Sequence, residues 1–202
     1  MSTENQIFSC GSEIRSESAS DNKQPSTRVV RSIYTDPIDL IWTDAAKKLG
    51  MTVVRCPEVY AAWDGHGTLR IGTPDTLDPD DSLAQMVLHE SCHAIVVGPD
   101  GFSKEDWGLD YEDPRHVVFE QAALVIQARL ADAFGLRNFL ASTTDFRAYF
   151  DRIGNDPSVF ADELVRELAA EAWNRSQEEP WRSVITDALR ATAEIAKIVQ
   201  RF

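Results

Sequence analysis

The sequence predicts an α+β protein, mostly helical, with one small N-terminal β-sheet. Three observations predict it. Period-two, β-branched runs occur only between residues 52 and 73, and from Asp80 onward the apolar residues recur at helical spacing between well-formed start and stop signals. At 202 residues the chain has room for one well-buried domain plus a tail.

Residues 1 to 28 are rich in Ser, Glu, Asn, Gln and Thr and nearly devoid of large apolar side chains. Such a segment cannot offset its ordering entropy, so a disordered tail is expected there, with a single domain over 29 to 202. "DPIDLIWTDAAKKLG" reads as a first helix, with Asp36 as N-cap, Pro37 at the first helical position and Gly50 just past the end. "TVVRC", "EVYAAW" and "TLRIGT" read as strands, the latter two joined as a hairpin through "DGHG". His66, in that turn, is expected in solvent.

Four further helices are predicted. "DDSLAQMVLHESCHAIVV" has Ser82 and Gln85 in capping-box spacing and is stopped by Gly98-Pro99. "DPRHVVFEQAALVIQARLADAFG" starts on Asp113-Pro114 and ends at Gly135, and "DPSVFADELVRELAAEAWNRS" and "EPWRSVITDALRATAEIAKIVQRF" repeat the proline-first start.

The formal charge of -13 argues against binding to phosphate backbones, an affinity that comes from Lys and Arg displacing counterions. No run of eighteen apolar residues is present, so no membrane-spanning segment is expected. The N-terminus lacks the basic and apolar regions of a signal peptide, and three widely spaced cysteines suit reduced thiols, so a cytoplasmic location is expected. Residues 71 to 120 hold twelve Asp or Glu against Lys104 and Arg115. That surface is either simply solvated or a negative funnel for a cationic substrate.

The chemistry concentrates in His89-Glu90-Ser91-Cys92-His93. Residues four apart share a helix face, so His89 and His93 can aim at one divalent metal, while Glu90 reaches a bound water as acid or base. This is the HExxH pattern of zincin-like enzymes, which also place an edge strand beside the motif helix. Glu120, 27 residues after His93 on an almost wholly apolar helix, is the candidate third ligand. A buried carboxylate needs a metal or another partner, and pairing with an Arg is the alternative. His116 is a reserve ligand or a partner behind the ligands. Cys92 falls off the ligand face and reads as a core residue. Trp107 and Tyr111 are candidate residues for a pocket lining or for support behind the ligands.

The pattern extends further: His93 is followed by four residues and then Gly98, and after seven more residues comes Asp106-Trp107-Gly108. That spacing, with Tyr111 and the Phe119-Glu120 pair, resembles the elongation factor P hydroxylase family over about residues 83 to 126. The stretch between Gly108 and Glu120 is shorter here than in that family. The resemblance implies hydroxylation of a modified lysine on a protein substrate, with iron held by His89, His93 and Glu120, Glu90 beside it and Asp106 in the pocket. Two histidines and one carboxylate also match the facial triad of non-haem Fe(II) oxygenases. Read from HExxH alone, the alternative is a small zinc-dependent peptidase with Glu90 as general base.

Overall fold

The computed structural model describes residues 34–110, 112–142 and 146–199; the expected tail over 1 to 28 and Tyr111 lie outside the described residues. Helix α1, Pro37–Lys48, begins where the Asp36 carboxylate accepts the Ile38 N–H at 2.8 Å, and the chain turns at Gly50 with φ 87°. Strands β1 (Thr52–Arg55), β2 (Ala61–Trp63) and β3 (Thr68–Ile71) follow. β3 is central: it pairs parallel with β1, Thr52 opposite Thr68, and antiparallel with β2, Trp63 opposite Leu69.

In the hairpin turn Asp64 Oδ1 accepts the N–H groups of His66 and Thr68 at 2.7 and 2.8 Å. Gly65 must be glycine for two reasons. Its φ is 72°, and a Cβ there would stand 2.9 Å from the Lys104 backbone. His66 is exposed, as expected.

Helix α2, Leu83–Val97, is capped by Ser82, whose Oγ accepts the Gln85 N–H at 3.1 Å. Only His89 and Val97 of its residues escape full burial, so it is the central helix, packed by α1 on one side and by the later helices on others. Such a helix shows no polar stripe because so little of it meets water. Gly98, at φ 72°, ends it, and Pro99 opens the short α3, Pro99–Phe102.

A single 3-10 turn, Pro114–His116, leads into α4, Val117–Asp132. The short α5 (Arg147–Arg152), α6 (Glu163–Ser176) and α7 (Trp181–Val199) complete the helical layer. Two helix starts differ from expectation: α4 begins at Val117, behind the 3-10 turn at Asp113-Pro114, and α6 also begins late. The helix predicted from Asp156-Pro157 is a separate 3-10 turn, Pro157–Phe160, and α6 starts afresh at Asp162, which accepts the Leu164 N–H. Both Asp156 and Asp162 are good caps, and the chain uses both.

The result is α+β and mostly helical, with a hydrophobic cluster running from Trp42 of α1 to Ala196 of α7. The Trp42 indole N–H donates to Thr192 Oγ1 at 3.0 Å, tying the first helix to the last inside that cluster. Among the described residues no helix is long and apolar enough to cross a membrane.

Candidate metal centre

α2 and α4 pack side by side, and this contact builds the site. Because His89 and His93 are one turn apart on α2, their rings meet edge to face, with Nε2 to Nε2 at 3.1 Å. Glu120, in the first turn of α4, brings its carboxylate to both: Oε1 lies 3.4 Å from His89 Nε2 and Oε2 3.0 Å from His93 Nε2. One ligand atom from each of the three lies within 4.8 Å of the others. Tetrahedral coordination with bonds of about 2.1 Å separates neighbouring ligand atoms by about 3.4 Å, so the spacing suits a shared divalent ion. His89, His93 and Glu120 therefore form a group that could hold one.

The protonation chemistry points the same way. Burial disfavours the charged form of His89, but the Glu120 carboxylate outweighs it, and the imidazole is pushed up from 6.5 to about 9. Burial likewise opposes the Glu120 anion, yet His89 and His93 hold its carboxyl far below the ordinary range. Without a metal, the group therefore favours a proton on His89 against the Glu120 anion. Cys92 is fully buried, and burial, reinforced by Glu90 and Glu120, pushes its thiol far up; it is a core residue and not a thiolate ligand.

Behind the ligands stands a residue the sequence reading did not single out. Gln127, wholly buried on α4, presents Oε1 to His89 Nδ1 at 2.9 Å and donates Nε2–H to the Leu140 carbonyl at 2.9 Å. The Leu140 bond fixes which way the amide faces, so the oxygen accepts Nδ1–H and the His89 lone pair is left on Nε2, towards the group. The available signal was the position of Gln127, seven residues after Glu120 and hence on the same face of an apolar helix.

Glu90 is buried beside the ligands and lines the same pocket, of about 280 Å³, without belonging to the ligand group. Its Oε2 accepts the Trp107 indole N–H at 2.9 Å. Trp107 is aimed by unusual backbone: Asp106, Trp107 and Gly108 have φ of 44°, 60° and 76°. The first two are non-glycine residues in the left-handed region, a conformation that costs about 1–3 kcal/mol per residue and persists only where the surroundings enforce it. Here they do. Asp106 Oδ1 accepts the Trp63 N–H at 3.0 Å, and the Trp107 and Trp63 rings stack with centroids 4.7 Å apart and planes 2° from parallel.

The candidate residues thus sort themselves. Asp106 braces the sheet edge and Trp107 holds Glu90; neither lines the pocket. His116 does not join the ligand group. Its Nδ1 accepts the Asp110 N–H at 2.7 Å, so it closes the loop before α4. The pocket mouth carries Tyr60, whose hydroxyl bonds Asp81, and Ala61 of the edge strand β2.

No family model, curated protein or solved structure matches the chain.

Proposed function

We propose that the protein is a metal-dependent enzyme of zincin-like type, with His89, His93 and Glu120 as metal ligands and Glu90 as the acid or base beside them. The observation that carries the reading is the convergence of His89, His93 and Glu120 in one pocket with Glu90, whose carboxylate is held by Trp107. That bond joins the HExxH segment to the Asp106-Trp107-Gly108 segment. The resemblance to elongation factor P hydroxylases rests on the spacing of those two segments, so their physical coupling favours hydroxylation of a cationic protein or peptide side chain, with Fe2+ as the metal.

When bound, the metal would supply Lewis acidity and open positions for oxygen or water. The chain's own work is separate. Gln127 sets the His89 tautomer, and the Glu120 carboxylate balances the charge of a cation held by neutral imidazoles. Glu90, with one oxygen on the Trp107 N–H, is kept facing the pocket to take or return a proton. Asp81, at the mouth with Tyr60, adds negative charge where a cationic side chain would enter.

A zinc hydrolase is the second reading, favoured by Glu90 itself: a buried carboxylate beside the ligand group is where a hydrolase keeps its general base. Metal analysis of protein purified from its native host without added metal separates the two. Iron with oxygen-dependent hydroxylation of a lysine-bearing peptide supports the first, and tightly held zinc with peptide cleavage the second. If neither metal co-purified and Glu120→Ala left metal uptake unchanged, both would fail.

A further inference from the structure

A second cavity, of about 400 Å³, lies between α4, α6 and the segment from Ile153 to Phe160. None of the residues around it lines the metal pocket. Its walls are apolar, with Val125, Ile126 and Ile153 buried and Phe160 partly so. Its charged residues are Arg129, Arg137 and Arg166 against one carboxylate, Asp132. In a chain of net charge -13 this excess of guanidinium around an apolar hollow runs against the average.

Arg129 and Arg166 are exposed, and each of the three guanidiniums has a contact that orients it. Arg137 pairs with Asp132 and donates Nη1–H to the Phe150 carbonyl at 3.3 Å. Arg166 donates Nη1–H to the Phe160 carbonyl at the cavity edge, and Arg129 lies 3.4 Å over the Trp173 ring. Among the described residues neither Arg129 nor Arg166 meets a carboxylate within ion-pairing distance, although each guanidinium carries five donors. Two oriented cations without counter-ions at the mouth of an apolar hollow are complementary to a molecule with an apolar body and an anionic end. The volume falls in the range of small-molecule sites.

We propose that this cavity binds a small amphipathic carboxylate, its apolar body against Val125, Ile126, Ile153 and Phe160 and its carboxylate on Arg129 and Arg166. A carboxylate can accept from the guanidinium fork bidentately, and its single charge asks for less desolvation beside an apolar wall than a phosphate's. The inference is independent of the reaction assigned to the metal centre.

The test is isothermal titration calorimetry of the full chain with decanoate, with decanol as the uncharged match and decyl phosphate as the alternative anion. One decanoate per chain is expected, with decanol at least tenfold weaker. The double variant Arg129→Gln, Arg166→Gln should lose at least tenfold in decanoate affinity while remaining folded by circular dichroism, with a cooperative melt. Ala170→Trp, an exposed position at the cavity, should block binding by bulk alone. Equal affinity for decanoate and decanol, tighter binding of decyl phosphate, an unaffected double variant, or no binding by the folded wild type would each overturn the proposal.

Discussion

Gln127→Met tests whether the residue behind the ligands matters to the metal or only to the core. Methionine fills nearly the same volume without polar atoms, so the apolar packing around this wholly buried position is largely kept. Two hydrogen bonds are lost, to His89 Nδ1 and to the Leu140 carbonyl, each of 2.9 Å. Removing a group that orients a metal-bound histidine typically costs 10- to 100-fold in affinity, or about 1.4 to 2.7 kcal/mol. The stranded Leu140 carbonyl separately costs about 1–3 kcal/mol of fold stability. Zinc affinity is read by competition with a fluorescent chelator, and stability by urea unfolding in the metal-free state. The reasoning predicts that both fall. A variant that loses stability but binds zinc as tightly as the wild type would refute it, because the amide would then be a core fixture with no hold on the His89 ring.

The remaining predictions concern Glu90, its tryptophan and pH. Glu90→Gln keeps an oxygen for the Trp107 N–H, so metal content by mass spectrometry should be unchanged while turnover falls by roughly 10²- to 10⁴-fold; loss of metal instead would make Glu90 a ligand. Trp107→Phe keeps a ring to stack on Trp63 but removes the donor to a buried carboxylate, and should lower stability in urea unfolding by about 1–3 kcal/mol, with no loss of zinc affinity. In metal-free protein the raised His89 pKa contributes stability that is present below 6.5 and lost as pH rises through about 9. The lowered Glu120 pKa contributes stability present above 4.5 and lost as pH falls through its folded value. Melting curves in chelator should therefore decline from pH 6.5 upward, while zinc affinity rises about tenfold per pH unit up to about 9 as the metal displaces the His89 proton. A pH-independent zinc affinity across that interval would contradict the pairing.

Local signals were legible wherever a cap or a periodicity decides the structure within a few residues. Asp36, Ser82 and Asp113 each accept a backbone N–H at the predicted helix or turn start, and His89, Glu90 and His93 lie on one well-formed helix. Glu120 was legible for a related reason: a carboxylate in the middle of Val118 to Ile126 has to be explained by something. What escaped depends on contacts between distant segments. Gln127 looks like a polar passenger until α4 is laid against α2 and the Leu140 carbonyl arrives from 13 residues away. The Trp107–Glu90 bond needs left-handed backbone at two residues for which propensity argues against it. His116 looked like a reserve ligand because a proline-started helix would place it one turn before Glu120; the 3-10 turn ends there instead, and its ring turns to Asp110.

Those distant contacts explain why the site can be both buried and polar. Two imidazoles 3.1 Å apart and a carboxylate within 3.4 Å of both would be a poor exchange for apolar packing unless a cation joins them. In metal-free protein the cation is a proton, which is why the His89 pKa rises while that of Glu120 falls. A divalent ion would satisfy the same three groups with more charge and release that proton. The stability of the metal-free site and its affinity for a metal would then answer to one electrostatic demand. Glu90 adds to that demand through its charge on His89, but its carboxylate is anchored by Trp107 and is not a member of the ligand group. The proposed function needs an acid or base beside the metal, and a carboxylate held in the pocket by Trp107, outside the ligand group, is placed for that role.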